Sequence, residues 1–269
     1  MKRSFLFIFA LLLSAGHARA DIAVLVHGYL GSAYSWQDSG VNAALAANGW
    51  RPAGVLVTTP AGPLLPPITT SNIPRKTYAV ELPSTAPLGV QSELLTQSLR
   101  ALEKRHPKEN ITLVGHSAGG VVARMALVRG GAGQVKRLIT IASPHMGTVR
   151  ALEALDATDG SGPVGFVKDM FGGDLYHTVK HSWPILVDLA PPIPGTGLFW
   201  LNAQPHPKIE YISIVRGGPF GFAGDQIAPA FSQDMNSVPA LRGRSQVRVV
   251  PADHALNPKD GVLLAQLMR

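Results

Sequence analysis

Ile22-Ala-Val-Leu-Val26 is an unbroken apolar run, too short for a helix and lacking the alternation of a strand that wets one face. Runs of this kind suit strands covered on both sides of a sheet. Ala53 to Thr58, Thr77 to Leu82, Ile111 to Gly115, Val135 to Ala142, Ile209 to Val215 and the short Gln246 to Val250 repeat the pattern. Between them the apolar spacing lengthens to that of helices. Ser35 to Asn48 reads as one helix closed by Asn48-Gly49, and Leu88 to His106 carries Leu94, Leu95, Leu99 and Leu102 before Pro107 ends it. A third helix follows Ser117, and Pro258 to Met268 closes the chain. Strands alternating with helices predict an α/β fold with a mostly parallel central sheet and helices on both faces. In such a sheet ligands gather at the carboxyl ends of the strands.

Two segments break the rhythm. Thr59 to Lys76 is rich in proline and small residues and reads as a long loop, with room for a short hairpin. Residues 149–204 hold two weak amphipathic helices between glycine and proline clusters, and read as a cap or lid inserted between regular strands. Phe166, Val167, Met170, Phe171, Trp183, Ile193, Leu198, Phe199 and Trp200 would line an acyl pocket or meet a lipid surface, or else form a small core of the cap itself. The sequence leaves both open.

The first twenty residues follow another grammar. Lys2 and Arg3 precede the apolar stretch Phe5 to Ala15, and Ala18-Arg-Ala20 supplies small residues for cleavage before Asp21. The stretch falls short of the roughly 20 residues a spanning helix needs. A cleaved signal peptide over 1–20 is therefore expected, with a single domain over 21–269 exported to the periplasm or beyond. The chain contains no cysteine, so its core must hold without disulfides, and thiolate metal sites and cysteine nucleophiles are excluded. Its net charge of +7 comes from scattered residues without the basic clustering of nucleic-acid binders, and no nucleic-acid partner is expected.

The chemistry is concentrated at Gly115-His116-Ser117-Ala118-Gly119-Gly120, where an apolar strand meets a helix. A serine on so tight a turn stands exposed at the strand end, with small neighbours allowing strand and helix to approach. The hydroxyl is essentially un-ionised at neutral pH, so it needs a base within reach and a carboxylate to orient that base. His254, after the last strand, is the expected base. His106, His116, His177, His181 and His206 are worse placed, before the serine, inside the turn or in the inserted segment. Asp225 is the first acid after the Ile209–Val215 strand and the expected carboxylate, with Asp234 the alternative. Asp188 in the inserted segment reads as structural, and Asp253 is too near His254 in sequence to reach round to its ring. The oxyanion donors are expected from the N–H of Ala118 and of Tyr29, or Leu30 in its place, while the His27 side chain is expected only to hold its loop.

These pieces together resemble the α/β-hydrolases of the bacterial lipase and esterase kind. The matching stretches are Val26-His-Gly-Tyr-Leu-Gly31, Leu113-Val-Gly-His-Ser-Ala-Gly-Gly120, Ile139-Thr-Ile-Ala-Ser-Pro-His-Met-Gly-Thr148, Asp225-Gln-Ile-Ala-Pro229 with Ser232-Gln233, and His254, in the family's order. The resemblance implies a Ser117–His254–Asp225 triad, an oxyanion hole at Tyr29 and Ala118, and hydrolysis of a carboxylic ester, with a thioester, polyester or protein-linked acyl group as the alternative substrate. A catalytically silent binding module of the same fold is the alternative from another class. Some members of the family bind calcium near the histidine loop, but no acidic cluster suggests it here. No metal or cofactor is expected, and the partner is an ester substrate met by a monomer, with transient contact to a lipid surface if the inserted segment opens.

Overall fold

The computed structural model describes residues 21–67, 73–131, 133–158, 178–217 and 224–269, without the side chains of 157 and 158. The expected leader lies outside these residues, as do His177, Phe166, Val167, Met170 and Phe171. The strand β1 (Asp21–Val26) runs through the middle of an eight-stranded sheet. Its neighbours are β4 (Arg75–Glu81) and β5 (Asn110–His116), both parallel to it. Beyond β5 come β6 (Val135–Ile141), β7 (Glu210–Arg216) and β8 (Ser245–Val250), again parallel. Beyond β4 lies β2 (Arg51–Thr59), also parallel, and then the short β3 (Gly62–Leu64), the one antiparallel member.

Every β1 residue from Ile22 to Val26 is sealed from solvent, as the unbroken apolar run requires. Ile22, Val24 and Val26 point into one core layer and Ala23 and Leu25 into the other. The first layer is closed by α3 (Leu88–Arg105) and α4 (Ala118–Val128), packed on each other. The second is closed by α1 (Ser35–Asp38), α2 (Val41–Ala47) and α9 (Pro258–Leu267), around the buried Trp36 and Trp50. Each large apolar side chain so covered contributes about 1.5–3 kcal/mol over leaving it in water, which is how a cysteine-free chain holds together.

Several expectations needed adjustment. The helix read over Ser35 to Asn48 is two helices, because Gly40 adopts a left-handed φ of 76° between them. A side chain there would also strike the Pro258 ring at 2.9 Å, so the break lets α9 seat against α2. The Thr59–Lys76 loop does hold a hairpin, the β2–β3 turn. β2 begins earlier than its apolar run, at Arg51, and slips register between Pro52 and Gly54, where the proline has no N–H to give the ladder. β8 is an edge strand whose burial alternates, so its apolar signal is the weakest of the set.

The described parts of the 149–204 segment form α5 (Val149–Thr158), a helical stretch at 178–181, α6 (Trp183–Leu189) and α7 (Gly197–Ala203). Their buried residues Val179, Ile185, Leu186, Leu189, Leu198 and Leu201 join the α3–α4 core layer rather than making a separate one. Two polar links bolt them down. Asp188 Oδ2 accepts the N–H of Leu88 at 2.9 Å, capping α3. Asn202 Oδ1 accepts from the fully buried Arg124 of α4 at 2.6 Å. Trp183, Ile193, Phe199 and Trp200 remain exposed. Among the described residues no helix is long and apolar enough to cross a membrane.

Candidate active site

The strand β5 delivers Ser117 to a backbone conformation of φ 53° and ψ −130°, a region side chains rarely occupy. The strain persists because the surroundings leave no alternative. Ser117 N–H donates to the carbonyl of Ile141 at the end of β6, at 2.9 Å. A side chain on Gly119 would lie 2.2 Å from the His27 carbonyl oxygen, so only glycine lets α4 start this close to the loop after β1. Ala118 is the first residue of α4, which places its amide among those of the helix's first turn that have no intrahelical carbonyl.

Ser117 Oγ lies 2.9 Å from His254 Nε2, and His254 Nδ1 lies 2.8 Å from Asp225 Oδ2. The three residues come from the β5–α4 turn, the β8–α9 loop and the loop after β7, and they meet at the carboxyl end of the sheet. The carboxylate side chain of Asp225 is sealed (0% exposed), while the His254 ring keeps 21% exposure toward the cleft. Burial alone would raise the Asp225 pKa. Its hydrogen bond to His254, the charge of that ring, and the N–H groups of Ala228 and Ile227 outweigh burial and hold it below the ordinary value. Oδ1 accepts those two amides at 2.7 and 2.8 Å, leaving Oδ2 for the histidine and for Gln233 Nε2 at 3.2 Å.

The loop after β1 forms the opposite wall. His27 is buried, accepts the Leu82 N–H at Nε2 (3.1 Å) and donates from Nδ1 to the Gly28 carbonyl (3.0 Å), so its side chain braces the loop as expected. Burial lowers its pKa and keeps it neutral for that pairing. Leu30 takes a left-handed φ of 56°, which turns the backbone sharply beside Ser117. Glu81 Oε2 anchors the far end of the loop by accepting Ala33 N–H at 2.9 Å. The cleft between these walls has a volume of about 300 Å³, and Tyr29, Leu30, Ser117, His254 and Leu256 line it.

The remaining candidates are engaged elsewhere. Asp234 Oδ1 accepts from Asn236 and starts the 3-10 turn Met235–Ser237. Asp253 is exposed. His106 sits between Glu109 and the Tyr78 hydroxyl, at the end of α3. His206 bonds the Gln204 carbonyl, and His181 lies on the exposed side of the helical stretch at 178–181. Sequence reasoning found no role for His116, whose Nε2 donates to the His254 carbonyl at 2.9 Å. Its ring stands 5.3 Å from the His254 ring. Burial, then the neighbouring His254, push its pKa down to about 3, so His116 is neutral throughout the ordinary pH range. Gln233, the last residue of the short α8 (Ala230–Gln233), contacts the carboxylate itself. Its position one turn after Pro229 was the only signal. Among the described residues no group of three or more histidine, aspartate or glutamate side chains is placed to hold a metal ion.

The eight-stranded, mostly parallel sheet with its covering helices has counterparts in fold among solved structures. A lipase from Bacillus licheniformis in its mature form superposes with a TM-score of 0.61 at 18% identity, over 94% of this chain and 91% of its own. The fold is that of the α/β-hydrolases. A metagenomic carboxyl esterase gives a TM-score of 0.54 at 12% identity, covering 93% of this chain and 75% of its own. An extracellular α/β-hydrolase from a Paenibacillus species gives 0.50 at 14% identity, over 92% and 97%. The model of the PGAP1-like alpha/beta domain matches residues 87–157, which run from α3 through the elbow into α5. No curated protein sequence matches the chain. Relative to the hydrolase fold expected from the sequence, the structure keeps the mostly parallel sheet with helices on both faces.

Proposed function

We propose that this α/β-hydrolase cleaves carboxylic esters through an acyl-enzyme on Ser117. The observation that carries the reading is the unbroken relay from Ser117 Oγ through His254 to the sealed carboxylate of Asp225. In the proposed reaction Ser117 attacks the ester carbonyl while His254 Nε2 takes its proton, and Asp225 stabilises the imidazolium that forms. The same imidazolium then protonates the leaving alkoxide. A water deprotonated by His254 next attacks the acyl-serine, releasing the acid and restoring the serine. Negative charge on the tetrahedral intermediates would be met by the amides of Ala118 and Tyr29, helped by the amino end of α4.

The leader pattern of the first twenty residues supports work outside the cytoplasm, and the extracellular Paenibacillus neighbour has the same fold. Exposed Leu30, which lines the cleft together with Leu256, suits a substrate with an apolar part. Labelling by a fluorophosphonate tests the nucleophile. The native protein should be labelled at Ser117 and Ser117→Ala should not, whereas an unlabelled native protein would overturn the reading and favour a silent binding module. Rates on p-nitrophenyl esters from acetyl to palmitoyl, followed by a triglyceride emulsion, then separate soluble esters from lipids.

A further inference from the structure

Arg216, the last residue of β7, has no exposed surface, yet its guanidinium and its amide reach the chain on both sides of the site, after His254 and after Asp225. Its guanidinium holds Asp260 in a two-point fork, Nη1 to Oδ1 at 2.8 Å and Nη2 to Oδ2 at 2.7 Å. Nη2 also donates to the carbonyl of Ala255, the residue after His254, at 3.3 Å. Asp260 Oδ2 in turn accepts the N–H of Asn257, so the carboxylate secures the chain three residues beyond His254 and caps α9. On the other side the Arg216 N–H donates to Gln233 Oε1 at 2.7 Å. Gln233 Nε2 reaches Asp225 Oδ2 and the Ala228 carbonyl.

We infer that Arg216, with Asp260 and Gln233, is a positioning clamp that fixes the His254 loop relative to Asp225 and so keeps the base oriented. The role rests on the proposed serine-hydrolase reading, but the contacts are independent of any substrate. A buried ion pair is not in itself a stability device, because removing two charges from water offsets much of their attraction. A planar fork does give fixed direction, since guanidinium and carboxylate meet at two points in one plane. That is what a histidine carried on an irregular loop needs, for a small misplacement of a reacting group lowers rates steeply.

The test compares Arg216→Lys, which keeps the charge and loses the fork, with Lys76→Met, which breaks the buried Lys76–Glu109 pair on β4 and the α3–β5 turn. Asp260→Asn serves where Arg216→Lys does not fold. The clamp predicts at least a tenfold loss of kcat for Arg216→Lys with KM within twofold, and an unchanged kcat for Lys76→Met at comparable loss of stability. It also predicts that the low-field proton NMR signal of His254 Nδ1, present in the native protein, weakens or disappears in Arg216→Lys. A folded Arg216→Lys protein that keeps both kcat and this signal overturns the clamp, as does a native protein without the signal. The signal needs no turnover, so it separates the two ideas. A native protein that takes no fluorophosphonate label but loses the signal on Arg216→Lys retains the clamp and discards the hydrolase reading.

Discussion

The ring of His116 donates its Nε2 proton to the backbone carbonyl of His254, 138 residues further along the chain. The residue before the proposed nucleophile thus holds the proposed base. The bond requires only a proton on Nε2; burial outweighs the preference it gives the charged ring, and with a pKa of about 3 the neutral Nε2–H tautomer is the form present at any ordinary pH.

A pH dependence of stability follows. An unfolded histidine titrates near 6.5, so between that value and about 3 the unfolded chain binds a proton that folded His116 refuses. Stability therefore rises with pH across this window, by up to about 1.4 kcal/mol per pH unit for one such group. His27, His145 and His206 are lowered too, each chiefly by burial, and act in the same direction. Asp225 adds to it, as its depressed pKa gives stability that is lost as pH falls below the usual carboxylate range. Urea midpoints measured from pH 7 to pH 4 should fall steadily, and His116→Gln should flatten the slope. An unchanged slope in that variant would mean His116 is protonated in the fold.

Asp225→Asn should lower kcat by about 10⁴-fold, the scale seen when a triad carboxylate becomes an amide. The amide oxygen would keep the Ile227 and Ala228 N–H bonds, leaving its NH₂ facing His254 Nδ1. Two donors cannot pair, so the ring must turn or adopt the tautomer that puts a proton on Nε2, where a base needs a lone pair. Asp234→Asn retains the acceptor that starts its turn, and kcat should stay within about twofold of native. Steady-state rates on a single ester decide the ranking, and the reverse order would move the carboxylate to Asp234.

These residues also mark how far the sequence could be read. Ser117 was legible because a strained serine needs glycines at fixed neighbours and a strand and helix on either side, all local. His254 and Asp225 were legible through strand order, since parallel strands present their following loops to one edge. Arg216 and His116 were not. Their roles depend on which carbonyl or carboxylate a distant loop brings to them, and an arginine ending a strand gives no local sign of it. The same holds for Gly40, whose break in the first helix reflects the Pro258 ring pressed against it. The cap reading of residues 149–204 noted amphipathic helices but could not tell that their apolar faces would join the α3–α4 core layer.

Asp188 offers a test of structure alone. Its carboxylate caps α3 from the segment that follows β6, 100 residues away, by accepting the Leu88 amide. Asp188→Ala leaves that amide without its acceptor and should cost about 1 kcal/mol, the usual scale for a lost helix cap. With the elbow and its partners untouched, kcat should be unchanged. Chemical denaturation and rates on the same preparation check both halves, and a large fall in kcat would show that the segment around α6 acts on the site.

Gly119→Ala should be severely damaging for one added methyl. Its added carbon would lie 2.2 Å from the His27 carbonyl oxygen and 2.4 Å from that of Val26. Both acceptors are backbone at the end of β1, in the middle of the sheet, so neither can swing aside as a side chain would. Relief requires α4 to back away, and overpacking of this kind typically costs about 1–3 kcal/mol. The displacement would carry the Ala118 amide with it and away from the oxyanion it is proposed to meet. Activity should therefore fall further than stability, with kcat lowered at temperatures where circular dichroism shows the variant fully folded. If kcat instead tracks the folded fraction, the placement of α4 matters to the fold and not to the chemistry.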